Sequence, residues 1–143
     1  MAEETITPTE DQPAVAPAPV KKSKAKRTVA VGQLHVLATF NNTIVSFTDQ
    51  KGNVLTRSSA GECGFRGSKK GTAYAAQIAA DKAAQNAKQT YGLSKVDVFV
   101  KGIGLGRDAA IRSLQNLNIQ VETICDVTGI PHGGVRPRKA RRV

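Results

Sequence analysis

The sequence predicts an α/β fold built on a mixed five-stranded sheet, and three patterns carry that expectation. From about Gly32 the chain shows two stretches of period-two alternation separated by Asn41-Asn42. An alanine stripe at helical spacing follows, and after it a valine strand, a glycine-rich turn, a second helical pattern and a last strand. The resulting order, βββαβαβ, is a meander followed by right-handed βαβ units. That order makes one sheet with antiparallel and parallel neighbours, covered by helices.

Each element has its own residues. Leu34, Val36, Ala38 and Phe40 alternate with His35, Leu37 and Thr39, which places the first set on the core face of a first strand. Asn41-Asn42 stands where a two-residue hairpin needs positive φ, and Thr43, Val45 and Phe47 carry the return strand. Asp49-Gln-Lys-Gly-Asn53 reads as a turn and Val54-Leu-Thr-Arg57 as a third strand. Four glycines between positions 61 and 71 predict a loop. Ala76, Ala79, Ala80, Ala83, Ala87 and Tyr91 then repeat every three or four residues, and Gly92 stands at the helix C′ position. Side chains that small let the helix lie close to a sheet. Val96, Val98 and Val100 form a fourth strand, and Ala110, Ile111, Leu114 and Leu117 a second helix with Asp108 near its positive end. Ile119, Val121 and Ile124 form the last strand, ending near Val127.

Charge narrows the function. Residues 1–20 hold four acids, four of the six prolines and no Lys or Arg, which reads as a disordered arm. From Lys21 onward 21 cations face seven anions, a net +14. A surplus of that size implies a polyanionic partner. A membrane fits poorly, because no apolar run approaches a spanning length and the basic clusters lie on Gly/Pro-rich segments. Residues 21–27 pack five cations into seven positions, with Lys22, Lys24, Lys26 and Arg27 as candidate RNA contacts. The organisation expected is an arm over 1–31 (acidic 1–20, basic 21–27), an α/β RNA-binding domain over 32–128 and an extended basic tail over 129–143.

That tail carries Arg136, Arg138, Lys139, Arg141 and Arg142 with no acid and nothing large enough to nucleate a core. In water it should stay extended; on a polyanion each cation placed on a phosphate releases counterions. Only six aromatics occur, most where cores need them, so base stacking is not expected as the main mode. Cys63 and Cys125 stand 62 residues apart without a zinc-ligand pattern, and are read as reduced thiols in a cytosolic setting. The first residues lack the apolar stretch of a secretory signal, and their acids argue against a transit peptide.

Two glycine motifs invite a phosphate. In Lys101-Gly-Ile-Gly-Leu-Gly-Arg107, the backbone N–H groups of Gly102, Gly104 and Gly106 could cradle one with Arg107 assisting. A plain tight turn is the alternative reading, and Gly104 and Gly106 are expected to serve positive φ or close approach. A dinucleotide fingerprint fails, since Arg107 occupies the third-glycine position and Glu122 lies inside a strand. Phe65-Arg-Gly-Ser-Lys-Lys70 also fails as a nucleotide-binding P-loop, because Gly71 follows Lys70 and no glycine precedes Lys69. Arg66, Ser68, Lys69 and Lys70 on the Gly67 hinge still suit a nucleic-acid backbone, although a solvated charged loop would look the same. For catalysis, Asp49, Asp97, Glu122 and Asp126 could in principle form a two-metal nuclease site. The first strand supplies no acid, His35 and His132 lack a nucleophile, and capping or surface roles explain all of them. No enzyme, metal or cofactor is expected; a metal-dependent nuclease of related fold is the alternative.

Phe40-Asn-Asn-Thr-Ile-Val45, Gly64-Phe-Arg-Gly-Ser68, the Lys101 to Arg107 turn, and Asp126-Val-Thr-Gly-Ile-Pro-His132 with its basic tail occur in one order and spacing. Together they resemble the family of the eleventh protein of the small ribosomal subunit, in its bacterial form, over about residues 32–143. The resemblance implies a three-layer α/β/α fold of ribonuclease-H-like architecture without catalysis. It also implies binding of 16S small-subunit ribosomal RNA on the platform, bridging several RNA helices near the messenger path and Shine-Dalgarno cleft. The seventh and eighteenth small-subunit proteins would be neighbours, in a cytoplasmic ribosome and without a homo-oligomer. Its matched motifs add Asn41, Asn42, Phe65 and His132 to the candidate RNA contacts, and Arg57 at the end of the third strand and Gly133 beside His132 are grouped with them. The chain departs from the family pattern in three places. Ile103 and Leu105 replace prolines, Gly133 replaces an asparagine after the histidine, and Val135 replaces a cysteine.

Overall fold

The computed structural model describes residues 27–142. The candidate contacts Lys22, Lys24 and Lys26 lie outside them. Five strands, β1 (Val31–Ala38), β2 (Thr43–Asp49), β3 (Val54–Ser59), β4 (Lys95–Lys101) and β5 (Gln120–Asp126), form a sheet in the order β3-β2-β1-β4-β5. β1 pairs antiparallel with β2 and parallel with β4, while β2–β3 is antiparallel and β4–β5 parallel. The sheet is therefore mixed, with β1 at its centre, and the α/β class is the one expected.

Two α-helices, α1 (Ala73–Tyr91) and α2 (Gly106–Asn116), link the parallel strands. Both crossovers step from β3 toward β5, so right-handed connections put both helices on one face. There they pack on each other, α1 over β2 and β3 and α2 toward β1 and β5. Leu34, Val36, Val45, Phe47, Val96, Val98 and Val100 point into this layer and are buried. The alanine stripe works as expected: seven alanines of α1 are buried, and a sheet of valines needs no larger partner to exclude water. Thr72 caps the helix by accepting the Ala75 N–H, and Gly92 ends it at φ 71°, its N–H donating to the Lys88 carbonyl. The opposite face of the sheet, where the other layer of an α/β/α sandwich would lie, is open among the described residues.

Several local expectations change. Phe40 is not a core residue: β1 ends at Ala38, and Phe40 is 73 % exposed in the loop that follows. Asn41 and Asn42 do not adopt positive φ. Ala38 pairs with Thr43, so the connection is a four-residue loop over 39–42. Thr39 closes it, its N–H and hydroxyl both donating to the Asn42 carbonyl. Sequence alternation cannot mark where pairing stops, and here it runs past the strand. The loop at 61–71 contains a short 3-10 turn, Gly67–Gly71. Ile124 pairs with Val98 but is 62 % exposed, because eleven-residue α2 barely reaches the β5 edge. Of the aromatics, Phe47 alone is fully buried, and Phe40 and Tyr74 are largely exposed. Valine and alanine fill the core instead. No described helix is long and apolar enough to cross a membrane.

Candidate nucleic-acid interface

One end of the sheet collects most of the predicted contacts. β1, β4 and β5 finish there, and β2 begins there. The 39–42 loop, the 61–71 loop, the β4–α2 turn and the exit of the C-terminal segment therefore lie together. Both α1 and α2 start at this end, so their positive dipole ends face the same way.

Backbone contact holds these loops against one another. A Cβ on Gly71 would overlap the Phe40 carbonyl oxygen, and one on Gly104 the Thr39 carbonyl oxygen. One on Gly102 would overlap the Ala38 carbonyl oxygen, and Gly104 N–H donates to that same oxygen at 3.0 Å. Gly106 sits against the Thr43 hydroxyl and the Ala76 methyl. The three glycines of the turn thus serve close packing inside the protein. Only Gly102 has positive φ, 101°. For Gly104 and Gly106, which do not, the close-approach half of the expectation is the one that holds.

The 61–71 loop presents its cations outward. Gly64 and Gly67 supply positive φ, Phe65 N–H donates to the Ala60 carbonyl, and the Phe65 ring meets Tyr74 edge-on at 5.9 Å. Arg66 donates through its guanidinium to the Gly61 carbonyl at 3.0 Å, which braces the loop and leaves much of the group exposed. Ser68 and Lys69 are exposed and Lys70 half-buried, one turn before α1, whose first turn holds no acid.

Arg107 is also bonded within the protein, which its sequence position does not suggest. It donates to the Gly102 carbonyl at 2.6 Å and to the Asp126 carboxylate. The other Asp126 oxygen accepts from the Thr128 N–H at 2.9 Å and the Thr128 hydroxyl at 2.6 Å. That hydroxyl oxygen in turn accepts the Gly102 N–H at 3.1 Å. This ring of bonds ties the β4–α2 turn to the root of the tail and engages both terminal nitrogens of the guanidinium. The Thr128 hydroxyl, then Arg107, hold the Asp126 carboxyl well below the usual carboxylate range. Hydrogen bonds from the Asn53 side chain and backbone lower Asp49 as well. A carboxylate depressed in the fold stabilises it above the unfolded pKa, near 3.8, and that contribution fades as pH falls toward the folded value. Thermal melts should therefore lose stability below about pH 4, and Asp126→Asn should flatten that acid limb. An acid limb as steep in the variant as in the parent would remove the latch from the account.

From residue 129 to 142 the chain is exposed and without regular structure, with positive φ at Gly133 and Gly134. His132, Arg136, Arg138, Lys139, Arg141 and Arg142 are all on this segment, each open to solvent. Two candidates lie elsewhere. Arg57 pairs across from Ser46 on the open sheet face, and Arg27 lies at the opposite end of the sheet beside the Asp49 turn. Arg27 thus stands at one pole of the domain and the tail leaves from the other. Lys101 and Arg112, exposed on β4 and α2, were not singled out by sequence spacing. An isolated cation in an alternating strand carries no signal until its face is known to be open.

The four carboxylates considered for metal catalysis do not converge. Asp49 caps its own turn, Asp97 accepts from Thr123, Glu122 pairs with Lys95 at 2.8 Å and Asp126 is in the latch. Among the described residues no group of three or more His, Cys, Asp and Glu is placed to hold a metal ion.

Residues 32–142 match the family model described as Ribosomal protein S11, over nearly the whole of the described chain. With the motifs in order and the glycine-packed turns where they meet, the chain belongs to the ribosomal protein S11 family, structural proteins of the small ribosomal subunit.

Proposed function

We propose that this chain binds 16S ribosomal RNA at the platform of the small subunit, where it bridges RNA helices near the messenger path. The seventh and eighteenth small-subunit proteins would be its neighbours, in the cytoplasm, and the role is scaffolding without catalysis or cofactor. The observation that carries the reading is the gathering of residues 65–70, the 39–42 loop and the tail root at one end of the sheet, in a chain with net +14 from Lys21 onward. Phosphate contact there needs no induced fit of the fold, because glycine packing already holds the loops. Arg107 acts in this reading as a positioning residue, aiming the tail rather than meeting phosphate.

Replacing Arg66, Lys69 and Lys70 together with alanine tests it. RNA affinity should fall about tenfold or more, with roughly 1 kcal/mol of stability lost through the Arg66 bond to Gly61. A large drop in melting temperature with affinity unchanged would make these residues structural.

A further inference from the structure

The strand register places two rows of side chains on the open face of the sheet. One row runs Arg57, Ser46, His35, Phe99 and Cys125 across β3, β2, β1, β4 and β5. The next runs Ser59, Ile44, Leu37 and Lys101. In the first row His35 and Phe99 stand with ring centroids 5.2 Å apart and planes within 14°, a stacked pair on the two central strands. His35 is the exposed member. Beside the pair lies a shallow groove of about 270 Å³ whose floor is Leu37 and Ile44, with Val127 and Lys101 at its rim. Leu37, Ile44 and Val127 are each 38–46 % exposed there, an apolar floor that water wets.

We propose that this face is a stacking platform for one unpaired base of a single-stranded RNA segment. The base would extend the Phe99–His35 stack on the free side of the imidazole, over Leu37 and Ile44, while Arg57 and Lys101 take the flanking phosphates. The proposal rests on the RNA-binding reading and goes beyond it, from phosphate contact at the loops to base contact on the sheet. Charge selects the occupant. Arg57 and Lys101 form no ion pair among the described residues, whereas Glu122 is paired with Lys95, and Asp97, bonded to Thr123, is not among the residues lining the groove. An apolar peptide would leave both cations against an uncharged surface, and a nucleotide satisfies ring and cations together. Arg57 lies two strands from His35, about 10 Å between backbones, a gap that its long side chain can bridge toward a phosphate beside the stacked base. Val127, on the same rim, leads directly into the basic tail, so RNA held by the tail is delivered beside the groove.

The test uses the full chain, a single-stranded oligoribonucleotide carrying one internal 2-aminopurine, and an RNA hairpin lacking unpaired bases outside its loop. Stacking on the platform should quench the 2-aminopurine on binding by about twofold or more. His35→Ala should abolish the quench and weaken single-strand binding by about five- to a hundredfold, with hairpin affinity and melting temperature unchanged. His35→Phe should restore both, and Lys101→Ala should weaken binding while keeping the quench at saturation. If His35→Ala quenches and binds like the parent, the platform is not there. If the parent binds the hairpin but never quenches the probe, this inference falls and the RNA-binding reading stands; if it binds neither RNA, both fall. If an apolar dye seated in the groove stays undisturbed at saturating RNA, the face belongs to a protein partner and the proposal is overturned.

Discussion

Gly102→Ala should be the most destabilising single-methyl change in the domain, lowering the melting temperature by roughly 10–20 °C. Two costs fall on the same atom. The residue has φ 101°, where a side chain is strained by about 1–3 kcal/mol, and the added Cβ would overlap the Ala38 carbonyl oxygen. That carbonyl belongs to the central strand and already accepts the Gly104 N–H, so it cannot retreat without opening the β1–β4 junction. Overpacking of this kind adds about 1–3 kcal/mol. Two neighbours separate the terms. Gly52 has φ 87° with nothing within 4 Å of its would-be Cβ, so Gly52→Ala carries strain alone. Gly104 has no positive φ but faces the Thr39 carbonyl, so Gly104→Ala carries the clash alone. Urea or thermal melts of the three should rank Gly102 first. Equal shifts at Gly102 and Gly52 would mean that the packing at the β4–α2 turn yields easily and does not organise the loops.

Removing residues 135–143 should lower the slope of log RNA affinity against log salt by about 2–4. Five cations leave with this segment, and full engagement at roughly 0.7–0.9 per phosphate sets the upper bound. Between about 50 and 200 mM salt the parent's affinity should therefore fall about 16- to 250-fold more than the truncation's. The cut spares Pro131, His132 and the Thr128–Asp126–Arg107 latch, so the fold and the exit direction of the chain remain. Melting temperature should stay within a few degrees, because every residue described from 129 to 142 is exposed. The measurement is a filter-binding or fluorescence titration against a platform RNA fragment at several salt concentrations. An unchanged slope would leave the tail solvated and give the whole RNA contact to the folded domain.

Latch and tail form one mechanical unit. The root of the tail is pinned to the β4–α2 turn by bonds through Asp126, Thr128 and Gly102, while the cations beyond it are exposed. Pinning the root limits how much of the tail's freedom is lost on binding. The departures at Ile103 and Leu105 fit this arrangement. Both side chains are 65–76 % exposed, and the turn is held by glycine packing and the latch rather than by proline rings.

The sequence by itself determined the α/β class, the order of elements and the excess of positive charge. These follow from periodicity, glycine punctuation and counting, which depend on neighbours along the chain. The alanine stripe, the Gly92 cap and the valine strands all formed within a few residues of where their patterns placed them. What the sequence left open depends on neighbours in space. Phe40 continued the alternation of β1 yet faces solvent, because pairing stops at Ala38 and the glycine turns occupy the space beyond. Arg107 looked like a free cation beside a phosphate turn, and only the placement of Asp126 nineteen residues later shows it committed to the latch. Gly104 and Gly106 carried one sequence signal for two physical causes, and the fold decided for close contact over backbone freedom. The openness of the His35–Phe99 face was equally hidden. Whether an alternating strand is covered on its second face depends on the hand and direction of two crossovers, which is a property of the assembled sheet.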